Sequence, residues 1–292
     1  MMNARDLTKA LDGRWRGGRG SAACPCCQPE RRRDQNALSI TDGDGGKLVL
    51  HCFKTGCDWR DILDAAGIGR GDYRPPDPAE MARRAAERRA EADKRARQAR
   101  AVWDDAQPIA GTVAETYLRG RGITCALPPT LRFAPSCWHA SAQRFLALVA
   151  LVEGGDGFAV HRTYLRPDGG GKADVDPPKA MLGAVAGGAV RLAQGPGRLV
   201  VAEGIETALS LACGLLDGPA TVWAALSTSG MAGLRLPDIP GRLTIAPDGD
   251  KAGRGAALAL ADRATREGWA VSILTPPPGG DFNDMLRGEV TA

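Results

Sequence analysis

In the last third of the chain, short apolar runs closed by glycine or an acidic residue alternate with stretches of helical period. Leu-Val-Val-Ala at 199–202 lies between Gly197 and Gly204 and predicts a buried strand. Ile205, Leu209 and Ala212 then share one side of a helix over 205–213. Leu-Thr-Ile-Ala at 243–246 repeats the strand, and an alanine- and leucine-rich helix is predicted over 253–265. Upstream the pattern changes. A short helix over 112–118 ends at Arg119-Gly120-Arg121-Gly122, strands over 145–152 and 157–165 join across Gly154-Gly155, and a further short strand covers 189–192. Alternation from Val160 to Tyr164 puts His161 and Thr163 on one face and Arg162 and Tyr164 on the other. Residues 79–103 contain no Gly or Pro and predict a long helix with a thin apolar stripe. Pro75, Pro76 and Pro78 make 70–78 a linker. Nearer the N-terminus, Leu7, Leu11 and Trp15 mark a short amphipathic opening, and Leu38 and Ile40 an alternating segment. A turn from Gly43 to Gly46, a strand over 47–51 and a helix over 58–67 follow.

At 292 residues the chain has room for two or three small modules. The formal charge of +4 supports no global polycation argument, so nucleic-acid binding must rest on local basic patches. Arg83, Arg84, Arg88, Arg89, Arg95, Arg97 and Arg100 make 79–103 the most basic helix, read either as a solvated connector with i,i+4 pairs such as Glu80 with Arg84 or as a duplex-binding rod. The Arg14 to Arg19 run either touches phosphates or is a solvated linker. No stretch is apolar for long enough to span a bilayer and no signal peptide is present, so a cytoplasmic location and no membrane partner are expected.

Five of the eight cysteines, Cys24, Cys26, Cys27, Cys52 and Cys57, crowd into one short polar segment. In a reducing compartment this favours metal over disulfides. Two knuckles joined by a hairpin give a zinc ribbon with structural Zn²⁺ on Cys24, Cys27, Cys52 and Cys57. Cys26, or less readily His51, replaces a ligand if the register differs. A second metal site is indicated by carboxylates at the ends of successive strands. Glu203 closes the first, Asp248-Gly249-Asp250 follows the second, and Asp281 and Asp284 stand near the end, where an open parallel sheet has its ligand crevice. Hard oxygen donors suit Mg²⁺ or Mn²⁺. Asp248-Gly249-Asp250 alone also reads as a turn with helix-capping carboxylates.

Glu203-Gly204-Ile205-Glu206-Thr207-Ala208, Asp248-Gly249-Asp250-Lys251-Ala252-Gly253 and Asp281-Phe282-Asn283-Asp284 together resemble the Toprim domain of primases, topoisomerases and some nucleases, in a variant close to phage- and plasmid-type primases. Cys24-Pro25-Cys26-Cys27 resembles the start of the zinc-binding module of the same primases. The resemblance implies a small doubly wound α/β domain in which Glu203, Asp248 and Asp250 are catalytic and hold metal, joined by Asp284. Such primases often carry another acid where this chain has Thr207, and Glu206 stands one position early, which leaves the role of Glu206 open. The expected organisation is α/β and α+β multidomain: a zinc ribbon over 1–67, a linker and basic helix over 68–105, an α+β region over 106–196 and a Toprim domain over 197–292. In primases of this kind the region before the Toprim domain lines the cleft with basic groups, and Arg162, Lys172 and Lys179 are the candidates by position.

The expected activity is synthesis of short RNA primers on single-stranded DNA from nucleoside triphosphates. A metal-dependent nuclease and a non-catalytic DNA-binding accessory are the alternatives. A topoisomerase does not fit, since Tyr73, Tyr117 and Tyr164 come with no room for a clamp domain. Gly169-Gly170-Gly171-Lys172-Ala173 is not a P-loop, so unwinding is expected from a separate replicative helicase.

Overall fold

The computed structural model describes residues 3–32, 34–43, 46–69, 73, 77–276 and 281–289. The chain divides into two compact units, 1–91 and 92–292. In the first, helix α1 (Ala4–Ala10) precedes an antiparallel sheet of β1 (Arg14–Arg16), β2 (Arg19–Ala22), β3 (Leu38–Asp42) and β4 (Leu48–Cys52), in that spatial order, and α2 (Trp59–Ala65) follows. Leu7, Leu11, Leu38, Ile40, Ile62 and Leu63 form its core. The Arg14 to Arg19 run is neither a linker nor an irregular arm. Gly17 and Gly18, at φ +54° and +83°, close a two-residue hairpin, a turn that requires positive φ at both positions. Asp44 and Gly45 of the expected turn, and most of the 70–78 linker, lie outside the described residues. Helix α3 (Pro78–Asp104) straddles the division between the units. On its first half Arg84 pairs with Glu80, as its spacing predicts, and with Asp42 at 3.0 Å. On its second half Ala99 and Trp103 are buried, and Arg132 lies over the Trp103 ring.

The second unit holds two sheets. The first is antiparallel and runs β5 (Gln107–Pro108), β6 (Leu131–Trp138), β7 (Arg144–Val152), β8 (Ala159–Leu165), β9 (Lys179–Gly183), with α4 (Val113–Gly120) between β5 and β6 in sequence. The second contains β10 (Val190–Ala193), β11 (Arg198–Ala202), β12 (Ala220–Ala224), β13 (Arg242–Ala246) and β14 (Ala270–Ile273) in the order β10-β12-β11-β13-β14. Strands β11 to β14 are parallel, and β10 joins antiparallel to β12. The short strand expected over 189–192 therefore belongs to the C-terminal sheet rather than to the region before it. Helix α5 (Ile205–Ser210) packs on one face of that sheet, while α6 (Thr228–Ala232) and α7 (Lys251–Arg266) pack on the other. This is the doubly wound arrangement. The helix expected over 205–213 ends early: a π-helical turn, Leu211–Leu215, follows Ser210, and Gly214 at φ +126° stops it. Cys213 in that turn forms a disulfide with Cys125, Cα atoms 5.2 Å apart, a pairing that the sequence reading did not foresee. Helix α8 (Phe282–Arg287) closes the unit. Leu148, Ala150 and Leu165 share one core with Val200, Ala202, Ile205 and Phe282, so the antiparallel sheet packs directly against the C-terminal one. Among the described residues no helix is long and apolar enough to cross a membrane.

Candidate functional site

The first candidate is the cysteine cluster of the N-terminal unit. A tight turn, in which Gln28 N–H donates to the Cys24 carbonyl at 2.8 Å, presents Cys24 and Cys27, and the end of β4 and its turn present Cys52 and Cys57. All four sulfurs lie within 4.8 Å of one another, and Cys27 and Cys52 Sγ are 3.6 Å apart. Tetrahedral thiolates at about 2.3 Å from zinc stand roughly 3.8 Å apart, so the set fits Zn²⁺ with no position left open. Burial raises the Cys24 thiol. Burial also raises Cys52, but the backbone N–H groups of Thr55, Cys57 and Lys54 outweigh it and draw the thiol down to about 5. Cys26 stays outside the cluster, and His51 turns away to meet Phe53 edge to face, ring centroids 4.4 Å apart.

The second candidate lies at the C-terminal ends of the parallel strands. The chain leaves β11 towards β12 on one side, while β13 lies on the other and leads on to β14. The crevice between β11 and β13 is thus a topological switch point. Glu203 follows β11, and Asp248 and Asp250 follow β13. The Glu203 carboxyl is pushed up to about 7 by burial and by the charges of Asp248 and Asp250, against Lys179 and the nearby Thr228 N–H. Asp248 is raised by burial and by Asp281, again against Lys179. Glu203 Oε2 and Asp248 Oδ1 are buried without a hydrogen-bond partner. Unpaired hard oxygens crowded by like charge are what a divalent cation satisfies. Among the described residues the three acids do not converge as closely as the cysteines do. Asp250 is drawn towards α7, whose first turn it caps by accepting the Gly253 N–H at 2.6 Å.

The last motif serves mainly to build α8. Asp281 Oδ1 accepts the N–H groups of Asn283 and Asp284, and Asp284 Oδ2 accepts the Asp281 N–H, a reciprocal capping box. Asp281, not Asp284, is the α8 acid whose charge reaches Asp248. Buried Asn283 donates to Ser210 Oγ at 2.9 Å and to the Arg121 carbonyl at 2.8 Å, and accepts from Arg121 Nη1 at 2.7 Å.

Of the basic candidates, Lys179 faces the acids and lowers both Glu203 and Asp248. Lys172 is held by Glu206, Nζ to Oε1 3.3 Å, and the same oxygen accepts the Tyr117 hydroxyl at 2.7 Å. Burial opposes ionisation of Glu206, but Lys172 and Tyr117 outweigh it and hold the carboxyl at about 2. Glu206 is therefore a counter-ion within this network. Arg162, expected beside the substrate, is buried on the opposite face of β8, where its Nη1 donates to the Trp138 carbonyl at 3.0 Å and its guanidinium lies over Tyr164. Sequence reasoning passed over His161, Thr163 and Tyr117. The alternation placed the first two on the correct shared face, but nothing local marked that face as the one covered by the acids.

Residues 198–292 match the Toprim domain family, and residues 93–192 match a domain of unknown function, DUF7146. No curated protein matches the chain. Among solved structures, a DNA primase domain from Pseudomonas aeruginosa is 20% identical, with 67% of this chain and 75% of that one covered and a TM-score of 0.41. The zinc-binding and RNA polymerase domains of the Aquifex aeolicus primase are 15% identical, covering 99% and 82%, with a TM-score of 0.40. The primase fragment of the bacteriophage T7 primase-helicase protein is 14% identical, covering 92% and 94%, with a TM-score of 0.32. The C-terminal third of this chain is a Toprim domain, preceded at the N-terminus by a four-cysteine cluster.

Proposed function

We propose that the chain is a primase, making short RNA primers on single-stranded DNA by metal-dependent nucleotidyl transfer from ribonucleoside triphosphates. The observation that carries this is the pair of buried, unpartnered oxygens on Glu203 and Asp248 at the switch point of a Toprim domain, with the Lys179 ammonium beside them. Glu203, Asp248 and the free oxygen of Asp250 would hold Mg²⁺ or Mn²⁺, with Asp281 adding negative charge from α8. When bound, the cation lowers the pKa of an attacking 3′-hydroxyl and neutralises charge on the triphosphate and the leaving pyrophosphate. Lys179 meets the triphosphate from the facing sheet. Lys172, tied to Glu206, contributes a second positive charge at a fixed position behind it.

The N-terminal unit is the proposed template-binding module. Its strand pairing aligns Arg14, Ser21, Ser39 and His51 in one row across the sheet, and Arg16, Arg19, Thr41 and Val49 in the next. These alternate with the inward-facing Trp15, Ile40 and Leu50. The outer face therefore combines arginines with exposed His51 and Phe53, a chemistry suited to phosphates and stacked bases. Structural Zn²⁺ on Cys24, Cys27, Cys52 and Cys57 would hold the sheet in shape. The separate replicative helicase remains the proposed source of unwound template.

Single-stranded DNA, Mg²⁺ or Mn²⁺ and four ribonucleotides, one labelled, should yield short oligoribonucleotides without a supplied primer. Glu203→Gln should abolish synthesis while DNA binding at fixed salt persists. Nicked or degraded DNA without primers would transfer the site to the nuclease reading. DNA binding with neither product would leave the accessory reading.

A further inference from the structure

Two buried polar atoms on the face of β8 that packs against the C-terminal sheet have no hydrogen-bond partner: His161 Nδ1 and Thr163 Oγ1. His161 is 4% exposed and Thr163 is 1% exposed. Both belong to the face of β8 that carries Ala159 and Leu165, which share a core with Ala202, Ile205 and Ala246 at the ends of β11 and β13 and the start of α5. Across the ladder, Thr163 is paired with Lys179 and His161 with Met181. Lys179 reaches the field of Glu203 and Asp248. Met181 lines a cavity of about 300 Å³ with Val185, Leu226, Ser227 and Ser229, and the Leu226 N–H donates to the Glu203 carbonyl at 2.7 Å. One sheet face thus carries, side by side, a cation, a hydroxyl, an imidazole and an apolar side chain, and its lysine reaches the carboxylates.

Burial holds His161 down at about 4, and the nearby Lys179, Lys172 and Arg162 charges add to this against Glu206. At neutral pH the imidazole is uncharged, so one ring nitrogen donates and the other accepts. A neutral donor–acceptor pair is poorly matched to phosphate, which the lysines already serve, and well matched to an alcohol. An uncompensated buried polar group is destabilising, and a native structure that keeps two of them on one face is built for a guest that supplies the missing bonds.

We propose that His161 and Thr163 bind the ribose 2′-hydroxyl of the incoming nucleotide and so select ribonucleotides over deoxyribonucleotides. The inference rests on the primase reading above. A site built to hydrogen-bond a hydroxyl rejects the analogue that lacks it far more strongly than an apolar pocket rejects an added one. With the hydroxyl missing, His161 and Thr163 return to their unpaired state.

The test compares kcat/KM for ATP and dATP, and separately their Kd values in Mg²⁺ without template, for wild type, Thr163→Val and His161→Asn. Thr163→Val is nearly isosteric and removes an unpaired oxygen, so it should fold at least as stably as wild type and keep the measurement valid if His161→Asn does not fold. Each variant should narrow the ATP/dATP ratio by about tenfold or more, through loss of ATP affinity with dATP little changed. A merely structural role would shift both nucleotides alike and leave the ratio where it was. If the wild-type protein makes primers and the variants leave its ATP/dATP ratio unchanged, this inference is overturned and the primase reading stays intact. If no primers form, the binding ratio still decides between the residues as ribose readers and as ordinary core polar groups.

Discussion

Replacing Glu203 by Gln keeps its shape while removing a charge that the fold resists. A carboxyl moved from its ordinary value of 4.5 to about 7 binds a proton more readily in the folded than in the unfolded chain. Folding is then favoured by this group at low pH, and the advantage is lost as pH rises from about 4.5 through about 7. Taken at face value, the shift amounts to roughly 3 kcal/mol at pH 8. Glu203 is only partly buried, and solvent screening reduces this to about 1–2 kcal/mol. Glu203→Gln should therefore raise the melting temperature of the second unit by about 2–6 °C at pH 8 in chelator, and by almost nothing at pH 4.5. Calorimetry across that pH range reads the difference directly. Asp248 shares the same repulsion, so Asp248→Asn in the Glu203→Gln background should add less than it does alone. Saturating Mg²⁺ should reverse the order of stability, because binding to the folded state stabilises wild type by about 2.7 kcal/mol at a hundredfold excess over Kd. A variant that melts below wild type equally at both pH values, and is unaffected by Mg²⁺ in the same way as wild type, would show that the carboxylate is a structural group.

Two other outcomes follow from the geometry. Purified protein should carry about one zinc per chain, and Cys52→Ser or Cys57→Ser should lose it and loosen the first unit while leaving the melting of the second unchanged; metal analysis with calorimetry checks both parts. Lys172→Met should destabilise the second unit by about 2–3 kcal/mol at pH 7, because it removes the ion-pair partner of buried Glu206 and leaves the Tyr117 hydroxyl as the hydrogen bond to its Oε1. The Glu206 carboxyl is depressed from 4.5 to about 2, so the stabilisation it contributes is complete above 4.5 and fades as pH falls towards 2; the gap between Lys172→Met and wild type should narrow over that window in urea titrations.

The parts of the site that were legible in the sequence are those fixed within one β-α unit. Apolar runs ending at Glu203 and before Asp248 announced both strands and both turns, and the two cysteine pairs announced a four-thiolate cluster. What was not legible depends on partners far along the chain. Glu206 looked like a misplaced metal ligand until Tyr117, 89 residues away, and Lys172 were seen to hold it. Arg162 was chosen by its position in the region before the Toprim segment. Alternation separated it correctly from His161 but could not say which of the two faces the C-terminal sheet would cover. Val190–Ala193 is four residues long and pairs with β12 rather than with any strand near it in sequence, a choice that no local pattern carries. Gly214 marks where the π-helical turn after α5 stops, but no local signal placed the end of α5 at Ser210.

The same contacts explain why the acids cannot be understood from the Toprim segment alone. The floor beneath Glu203 is made by Ala202, Ile205 and Ala208 packing against Leu148, Ala150 and Leu165 of the antiparallel sheet. Asn283 ties α8, and with it Asp281, to Arg121 of the turn after α4 and to Ser210 at the end of α5. Side chains on both sides of the cleft thus set the positions of Asp281 and of the segment that carries Glu203. On the proposed reading, Lys179, His161 and Thr163 of the facing sheet would complete a crevice with a place for phosphate, for a metal ion and for a sugar. A carboxylate cluster on an isolated parallel sheet could bind a cation. Joined to a sheet that carries a lysine and two neutral hydrogen-bonding groups on one face, it would, on the proposed reading, discriminate among nucleotides.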